Sequence, residues 1–311
     1  EEDETENMLG FISSCKHKGL SVEDVLARCE NAGSQALQAA NIYAAYTKYL
    51  KSHALMDFDD LIETATSKLE SLNRATAVRL NGKMCDLNDL KLICADEFQD
   101  TSRSFYELTK ALMKKNPRIG LFCVGDDNQS ICAYAGSNLD YFRHFETYFP
   151  GAKRAQLKTN FRSGSAIVEY ANYHMRGCGE GGLAVRRGGS VEHLRISKYG
   201  SVHEIVRRLI VPERGHSVLV LARRNVSYGV GLEACQKDLS RLHPNVRVST
   251  IHGAKGSEAD TVFFLKEPIA NGRMHYLNAV IGLTEAEVQA EESRIEYVAL
   301  TRARGRLIVI E

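Results

Sequence analysis

The stretch KLICADEFQDTSRSFYELTKAL, residues 91–112, runs a short apolar segment straight into two adjacent carboxylates and then into a helical pattern. A brief apolar run, a cluster of turn residues, and then apolar positions three and four apart predict strand, tight turn and helix. Asp96 and Glu97 stand at the end of that strand. If the strand is buried, two carboxylates there are costly unless a cation meets them, and a metal ion is the obvious one. The same grammar recurs downstream in IGLFCVGDD, residues 119–127, and in RAQLKTNFRS, residues 154–163, which leads into the helical SAIVEYANYHM. Strands interleaved with helices predict an α/β fold whose parallel sheets are covered on both faces.

Working outward, VEHLRIS, SVLVLAR, VRVSTIH, TVFFL and RLIVI supply five further strand candidates and a second α/β domain. Between the two lies RGCGEGGLAVRRGGS, residues 176–190, whose six glycines predict a loop or flexible crossing rather than an element. Upstream, residues 5–80 read as helical. SVEDVLARC opens on a capping serine with Glu23 in the first turn, and residues 41–72 keep apolar positions at helical spacing.

With 311 residues, 44% hydrophobic and 25% charged, the chain has room for two domains with real cores. No apolar run approaches the roughly 18 residues of a membrane span, so no membrane partner is expected. The opening EEDETE is unlike a signal peptide, and the chain reads as a cytoplasmic protein or a piece of one. Eight cysteines without a C-x-x-C fit neither a zinc site nor a disulfide framework. Cys94 and Cys123, within apolar runs, are expected as small core residues. Net charge is +1, yet residues 1–150 hold 16 Lys and Arg against 23 Asp and Glu, and residues 151–311 hold 24 against 16. Solvated faces account for such an imbalance, and so does a polyanion held by the basic half.

Ligands of open α/β sheets bind beyond the carboxyl ends of the strands. Four polar clusters are expected there: Asp96 and Glu97; Gly125, Asp126, Asp127 and Gln129; Asn160, Phe161, Arg162 and Ser163; and Thr250 to Lys255. One such cluster is a weak sign, and four together point to a site.

The series DEFQDT, VGDDNQSICAYAGS, NFRS, TIHGAKGSEAD and YVALTRAR resembles, in order and spacing, helicase motifs II to VI of the UvrD/Rep family of superfamily 1 DNA helicases. MDFDDLI, residues 56–62, matches a further segment of that family, and VLVLAR and AYAGS look most like its helicase IV branch. The resemblance implies two RecA-like parallel-sheet motor domains, the first incomplete, after an N-terminal helical segment. It divides the chain into residues 1–54, a remnant of a 1B-like subdomain, 55–150 and 151–311. It implies ATP and Mg²⁺ as cofactors, and single-stranded DNA or a single-strand/duplex junction as partner. Asp96 would hold Mg²⁺, Glu97 would act as general base, Gln129 would sense the γ-phosphate, and Arg162 and Arg302 would be arginine fingers. Phe161, Glu258 and Gln99 fall to nucleotide binding, where Phe161 replaces the commoner Tyr and Glu258 would meet the ribose. Tyr134, Thr250, His252 and Lys255 fall to DNA. Cys132 and Ala135 stand where many members have Tyr and Arg, which weakens the expected grip.

The family's phosphate loop, G-x-x-x-x-G-K-[ST], does not occur, and the adenine-recognising Gln segment that precedes it is missing too. The only Gly-Lys upstream of Asp96 is Gly82-Lys83, followed by Met84. About 90 residues separate NFRS from TIHGAKG, so the large 2B insertion is reduced or absent. The expectation is a 3′-to-5′ translocase or helicase represented without its phosphate loop and inactive alone. The alternatives are a non-catalytic DNA- or partner-binding descendant and one subunit of a split helicase, whose second chain supplies the loop or a nuclease.

Overall fold

Val218–Ala222 is apolar throughout and Ala259–Leu265 is apolar from Val262 onward, and every residue of the first and nearly every residue of the second is buried. Burial on both faces is what a central parallel strand requires. In the computed structural model, which describes residues 2–30, 32–71, 77–80, 82–178, 181–198, 201–213, 215–267 and 275–311, they lie in a five-stranded sheet. Its order is Val246–Thr250, Val218–Ala222, Ala259–Leu265, Ala303–Ile310 and Ser190–Leu194, with every neighbour parallel. On one face Val220, Phe263 and Ile308 pack with Val206 and Ile210 of the helix Val202–Ile210 and Leu239 of the helix Leu232–Leu242. The alternate residues Leu221, Phe264 and Val309 are buried as well, and the helix Ser165–His174 packs on the neighbouring strands Ala303–Ile310 and Ser190–Leu194. The expected parallel α/β architecture is present, and all five downstream strands form.

This sheet belongs to one of two compact units, residues 154–270 with 289–311; the other holds residues 1–153 with 271–288. In the second unit the glycine-rich stretch departs from expectation. Leu183–Arg186 is a strand, paired in parallel with Thr159–Gly164. The glycines around it permit close backbone approach: a Cβ on Gly164 would lie 2.5 Å from the Gly188 carbonyl oxygen. Residues 179–180 of that stretch, and 72–76 of the upstream helical reading, lie outside the described residues.

In the first unit the helices Glu2–His17, Val22–Cys29, Ser34–Ser52 and Phe58–Ser71 account for the helical reading, and Ala77–Leu80 is a strand rather than its continuation. Ser21 and Asp24 form a reciprocal cap on the second helix. The run through residues 41–72 is broken after Ser52, where Ala54 adopts a left-handed conformation (φ 51°). Asp57 restarts it: its Oδ1 accepts the Asp60 N–H at 2.9 Å, and its own N–H donates to Asp60 Oδ2 at 3.2 Å. Lys16, on the first helix, donates to Asp57 at 2.5 Å and Asp60 at 2.7 Å, and Ser13 donates to Asp59 at 2.9 Å. His17 Nε2 lies 3.0 Å from Asp59 Oδ1. All three carboxylates of the DFDD segment are thereby tied to one helix. Phe11, Cys15, Val25, Ala40 and Tyr43 form the core of these helices, which Leu277 and Val280 join from the returning segment. Arg28 and Lys18 bind the Val280 and Ile281 carbonyls.

The decisive strand is Leu92–Ala95, parallel to Gly120–Cys123 and followed by the helix Arg103–Lys115. It differs from expectation in burial. Cys94 is exposed and Cys123 only half-buried, and Leu92 is 53% and Phe122 59% exposed. Among the described residues this sheet has two strands, and the face carrying Leu92, Cys94, Phe122 and Val124 is not covered. Asp96 and Glu97 are exposed too, so desolvation does not burden them.

Among the described residues no helix is long and apolar enough to cross a membrane.

Candidate active site

Two of the four clusters occupy the carboxyl end of the first unit's parallel pair. Val124 N–H bonds the Ala95 carbonyl and Phe98 N–H bonds the Val124 carbonyl, each at 2.9 Å, which brings the two strand ends together. Glu97 turns the chain there in a left-handed conformation (φ 51°, ψ 40°). Such backbone is uncommon for a residue with a Cβ and often marks a functional position. Asp96 Oδ1 accepts the Glu97 N–H at 2.9 Å.

The buried hub of this junction is Gln99. Its Nε2 donates to Glu97 Oε2, and its Oε1 accepts the Asp126 N–H at 3.0 Å. Gly125 is required beside it, because a Cβ there would collide with Gln99 Oε1 and lie 2.8 Å from Phe142. Both ends of the Gln99 carboxamide are thus occupied within the protein, and the side chain is fully buried. It orients Glu97 and joins the two loops. Gln129 donates to Asp126 Oδ2 at 2.7 Å, and the Asn128 N–H binds Asp126 Oδ1 at 3.0 Å. Burial raises the Asp126 carboxyl above its ordinary value, only partly offset by those two bonds. Asp127 pairs with Arg143 at 3.3 Å.

Among the described residues no three His, Cys, Asp or Glu side chains gather as a metal cage. An exposed carboxylate beside a second one nevertheless fits Mg²⁺, which usually binds one or two carboxylates and takes its remaining ligands from water and substrate phosphate. Asp96 is the residue that would hold it.

In the second unit Asn160 to Ser163 lie within a strand, not beyond its end. Leu157 and its neighbours are irregular, and pairing begins at Thr159. The register shifts between Asn160 and Gly164, and Asn160 Oδ1 closes the irregularity by accepting the N–H groups of Arg162 (3.0 Å) and Ser163 (2.9 Å). A bulge re-aims side chains. Here it leaves Phe161 72% exposed, while Ser163 Oγ anchors the strand on the Ala303 carbonyl at 2.6 Å.

Arg162 Nε donates to Glu258 Oε2 at 2.5 Å. Arg304, which sequence reasoning missed, donates to Glu258 Oε1 through Nε at 3.1 Å and also through its Nη2. Hydrogen bonds from Arg304, then from Arg162, hold the Glu258 carboxyl below the ordinary value. Arg302 is 1% exposed and spends its guanidinium on the Val298 and Ser257 carbonyls at 3.0 and 3.2 Å. In this arrangement it pins the chain and is buried, whereas Arg162 is only half-buried.

Thr250 ends its strand, and the turn through residues 251–256 follows its carboxyl end as expected. Thr250 Oγ1 accepts the Gly253 N–H at 3.1 Å. Ile251 and Ala254 are buried, with His252 and Lys255 half-buried between and beyond them. Arg247, also missed, clamps the turn from outside through Ser257 Oγ (3.0 Å) and the Gly253 carbonyl (3.2 Å). Tyr134 belongs to the 3₁₀ turn Ala133–Ala135, and its side chain lies outside what is described. The signal for Arg304 was its place at the end of YVALTRAR and for Arg247 its nearness to TIHGAKGSEAD, neither of which spacing alone converts into a partner.

A model of the UvrD/REP helicase N-terminal domain matches residues 1–150, and one of the UvrD-like helicase C-terminal domain matches residues 221–311. DNA helicase IV of Escherichia coli (strain K12) is 30% identical over 281 residues, 86% of this chain and 39% of its own length. ATP-dependent DNA helicase Rep of Buchnera aphidicola subsp. Acyrthosiphon pisum (strain APS) is 37% identical over 162 residues, 52% of this chain and 23% of its own. A solved PRRSV helicase structure aligns with a TM-score of 0.41 at 16% identity, over 80% of this chain and 45% of that one, too remote to bear on function. The chain belongs to the UvrD/Rep family of DNA helicases, and it spans about two fifths of the length of helicase IV.

Proposed function

We propose that this chain is the portion of an ATP-dependent single-stranded-DNA translocase or helicase that carries the metal-binding and hydrolytic carboxylates. The observation that supports it most is the strand-end junction: exposed Asp96 and Glu97, Glu97 in a strained turn, and Gln99 holding Glu97 to the loop of Asp126. Asp96 would hold Mg²⁺, which would neutralise phosphate charge, and ATP would supply the phosphoryl group. Glu97, oriented by Gln99, would accept the proton of the attacking water. Gln129, set by Asp126, would lie near the reacting phosphate. Arg162 would leave Glu258 for the phosphate, and Phe161 offers an exposed ring for the base. DNA would meet the turn bearing Thr250, His252 and Lys255, and Tyr134. Movement 3′ to 5′ follows from the family resemblance.

A phosphate loop must come from elsewhere, either from a longer form of the chain or from a second chain. The uncovered face of Leu92 and Phe122, and Phe58 at 85% exposure, favour a segment that packs there. The rival reading, a binding module without turnover, leaves that face unexplained.

The test is the intact mass of the protein from its native source with any co-purifying chain, followed by ATPase assays. The chain of residues 1–311 alone should hydrolyse no ATP. A longer form or a complex bearing G-x-x-x-x-G-K-[ST] should hydrolyse it with single-stranded DNA, and Glu97→Gln should abolish the rate. A loop-bearing form without DNA-stimulated hydrolysis would overturn the reading, as would a robust rate from residues 1–311 that depends on Glu97.

A further inference from the structure

Glu258 is a single carboxylate shared by two arginines that differ in how they are held. Arg162 meets it through one oxygen, and among the described residues its guanidinium otherwise bonds the Thr301 carbonyl at 3.4 Å. Arg304 meets the other oxygen through two nitrogens and has a second anion behind it, Asp260 at 3.7 Å. Asp260 is itself fixed, accepting the Ser217 N–H at 2.9 Å and the Ser217 hydroxyl at 2.7 Å, while its own N–H donates to Ser217 Oγ at 2.9 Å. The Ser217 hydrogen bonds, first among several causes, hold the Asp260 carboxyl below its ordinary value, so it stays charged behind Arg304.

An arginine that must move to an anion cannot also be the sole partner of a carboxylate. Leaving would strand Glu258 next to the incoming negative charge, and the repulsion would oppose binding. With a second, anchored guanidinium on the same carboxylate, departure costs the bond to Glu258 and the long one to the Thr301 carbonyl and strands no charge. The asymmetry of the two arginines matches this division: the weakly tethered one is free to exchange, the doubly anchored one remains.

We propose that Arg304 is a positioning residue that keeps Glu258 neutralised and in place, so that Arg162 can be transferred from Glu258 to a phosphate group. The inference rests on the reading of Arg162 as a phosphate ligand and adds the residue that makes its release feasible. It predicts that Arg304 acts on phosphate affinity through Glu258 and not by direct contact.

The experiment is calorimetric titration of the chain with inorganic tripolyphosphate at low salt, in a double-mutant cycle. Arg304→Ala should weaken binding about tenfold, a typical size for such coupling. Glu258→Gln should release Arg162 and bind at least as tightly as the unmodified chain, and adding Arg304→Ala to it should then change nothing. Arg304→Lys should recover part of the loss by keeping a cation on Glu258. An equal loss from Arg304→Ala with and without the Glu258 carboxylate would make Arg304 a direct phosphate ligand, and no loss would make it a bystander; either overturns the proposal. Arg162→Ala separates the two levels: unchanged affinity in that variant would mean that the phosphate reading itself is wrong.

Discussion

Gly136 lies directly against His17: a Cβ built on that glycine would collide with the His17 Cβ and sit 2.7 Å from its Cγ. Gly136 is also left-handed (φ 75°) and closes the 3₁₀ turn that carries Tyr134. His17 in turn pairs with Asp59 at 3.0 Å, so the expected DNA-contact turn rests on a helix locked to the DFDD segment.

Gly136→Ala should therefore do two things at once, straining the left-handed backbone and driving the first helix away. A loss of about 2 kcal/mol is expected from a special backbone position together with overpacking. Urea unfolding of the chain measures it. An unchanged midpoint would mean that the helix Glu2–His17 moves aside at no cost.

Lys16 is the second such tie. Burial pushes its ammonium down, but the hydrogen bonds to Asp57 and Asp60 raise it above the ordinary value overall. Burial likewise pushes Asp57 up, and its bonds to Lys16 and the Asp60 N–H leave it below the ordinary carboxylate value. A depressed carboxyl contributes stability that is present above its unfolded value and lost as pH falls through the folded one. The raised ammonium contributes stability that is present below its unfolded value and lost as pH rises through the folded one. The clamp thus works across the neutral range and fails in acid and in strong base. Lys16→Met strands two partly buried carboxylates and should cost about 3 kcal/mol at neutral pH. Melting temperature against pH is the check: the variant should gain stability on mild acidification where the unmodified chain loses it.

Gln99 holds the junction because an amide offers a donor to Glu97 and an acceptor to the Asp126 N–H at 3.0 Å. Glutamate keeps the acceptor and loses the donor, facing the Glu97 carboxylate with like charge. Gln99→Glu should be destabilising at neutral pH, recovering as acid protonates it. Gln99→Ala should lose about 1–3 kcal/mol without that recovery, since it removes a buried side chain and the acceptor of the part-buried Asp126 N–H. Parallel unfolding curves at neutral and acidic pH distinguish the two; a pH-independent Gln99→Glu would refute the donor assignment.

What was legible in the sequence follows the range of the forces. VLVLA and the VFFL of TVFFL declare buried strands because burial on both faces favours an unbroken apolar run. Asp96 and Glu97 stood out because two carboxylates close an apolar run at a strand end, although the structure leaves them exposed and not in a core. Leu183–Arg186 was hidden because its neighbours are glycines, present for the close approach of Gly164 to Gly188 and not for flexibility. The exposure of Cys94 was hidden because an apolar run tells which residues prefer burial, not whether a covering segment exists. The Lys16–Asp57 tie, the return of residues 271–288 to the first unit and the Glu258–Arg304 pair all join residues distant in sequence, and no local pattern encodes such partners.

The turn after Thr250 gives the sharpest test of a DNA-facing surface. Arg247 reaches it at the Gly253 carbonyl and Ser257 hydroxyl, and so shapes the backbone, whereas Lys255 is a half-buried cation on the turn itself. If Lys255 neutralises a phosphate, its loss removes one counterion-release event, and for single strands that lowers the log–log salt slope by about 0.7. Arg247, acting through the shape of the turn, should weaken binding without changing the slope. The measurement is fluorescence anisotropy of a labelled oligothymidylate titrated with the chain at several salt concentrations. Lys255→Ala should reduce both affinity and slope, and Arg247→Ala affinity alone. Affinity that does not change with salt would remove the turn from the nucleic-acid surface, and an Arg247→Ala slope change matching that of Lys255→Ala would make the arginine a phosphate contact rather than a clamp.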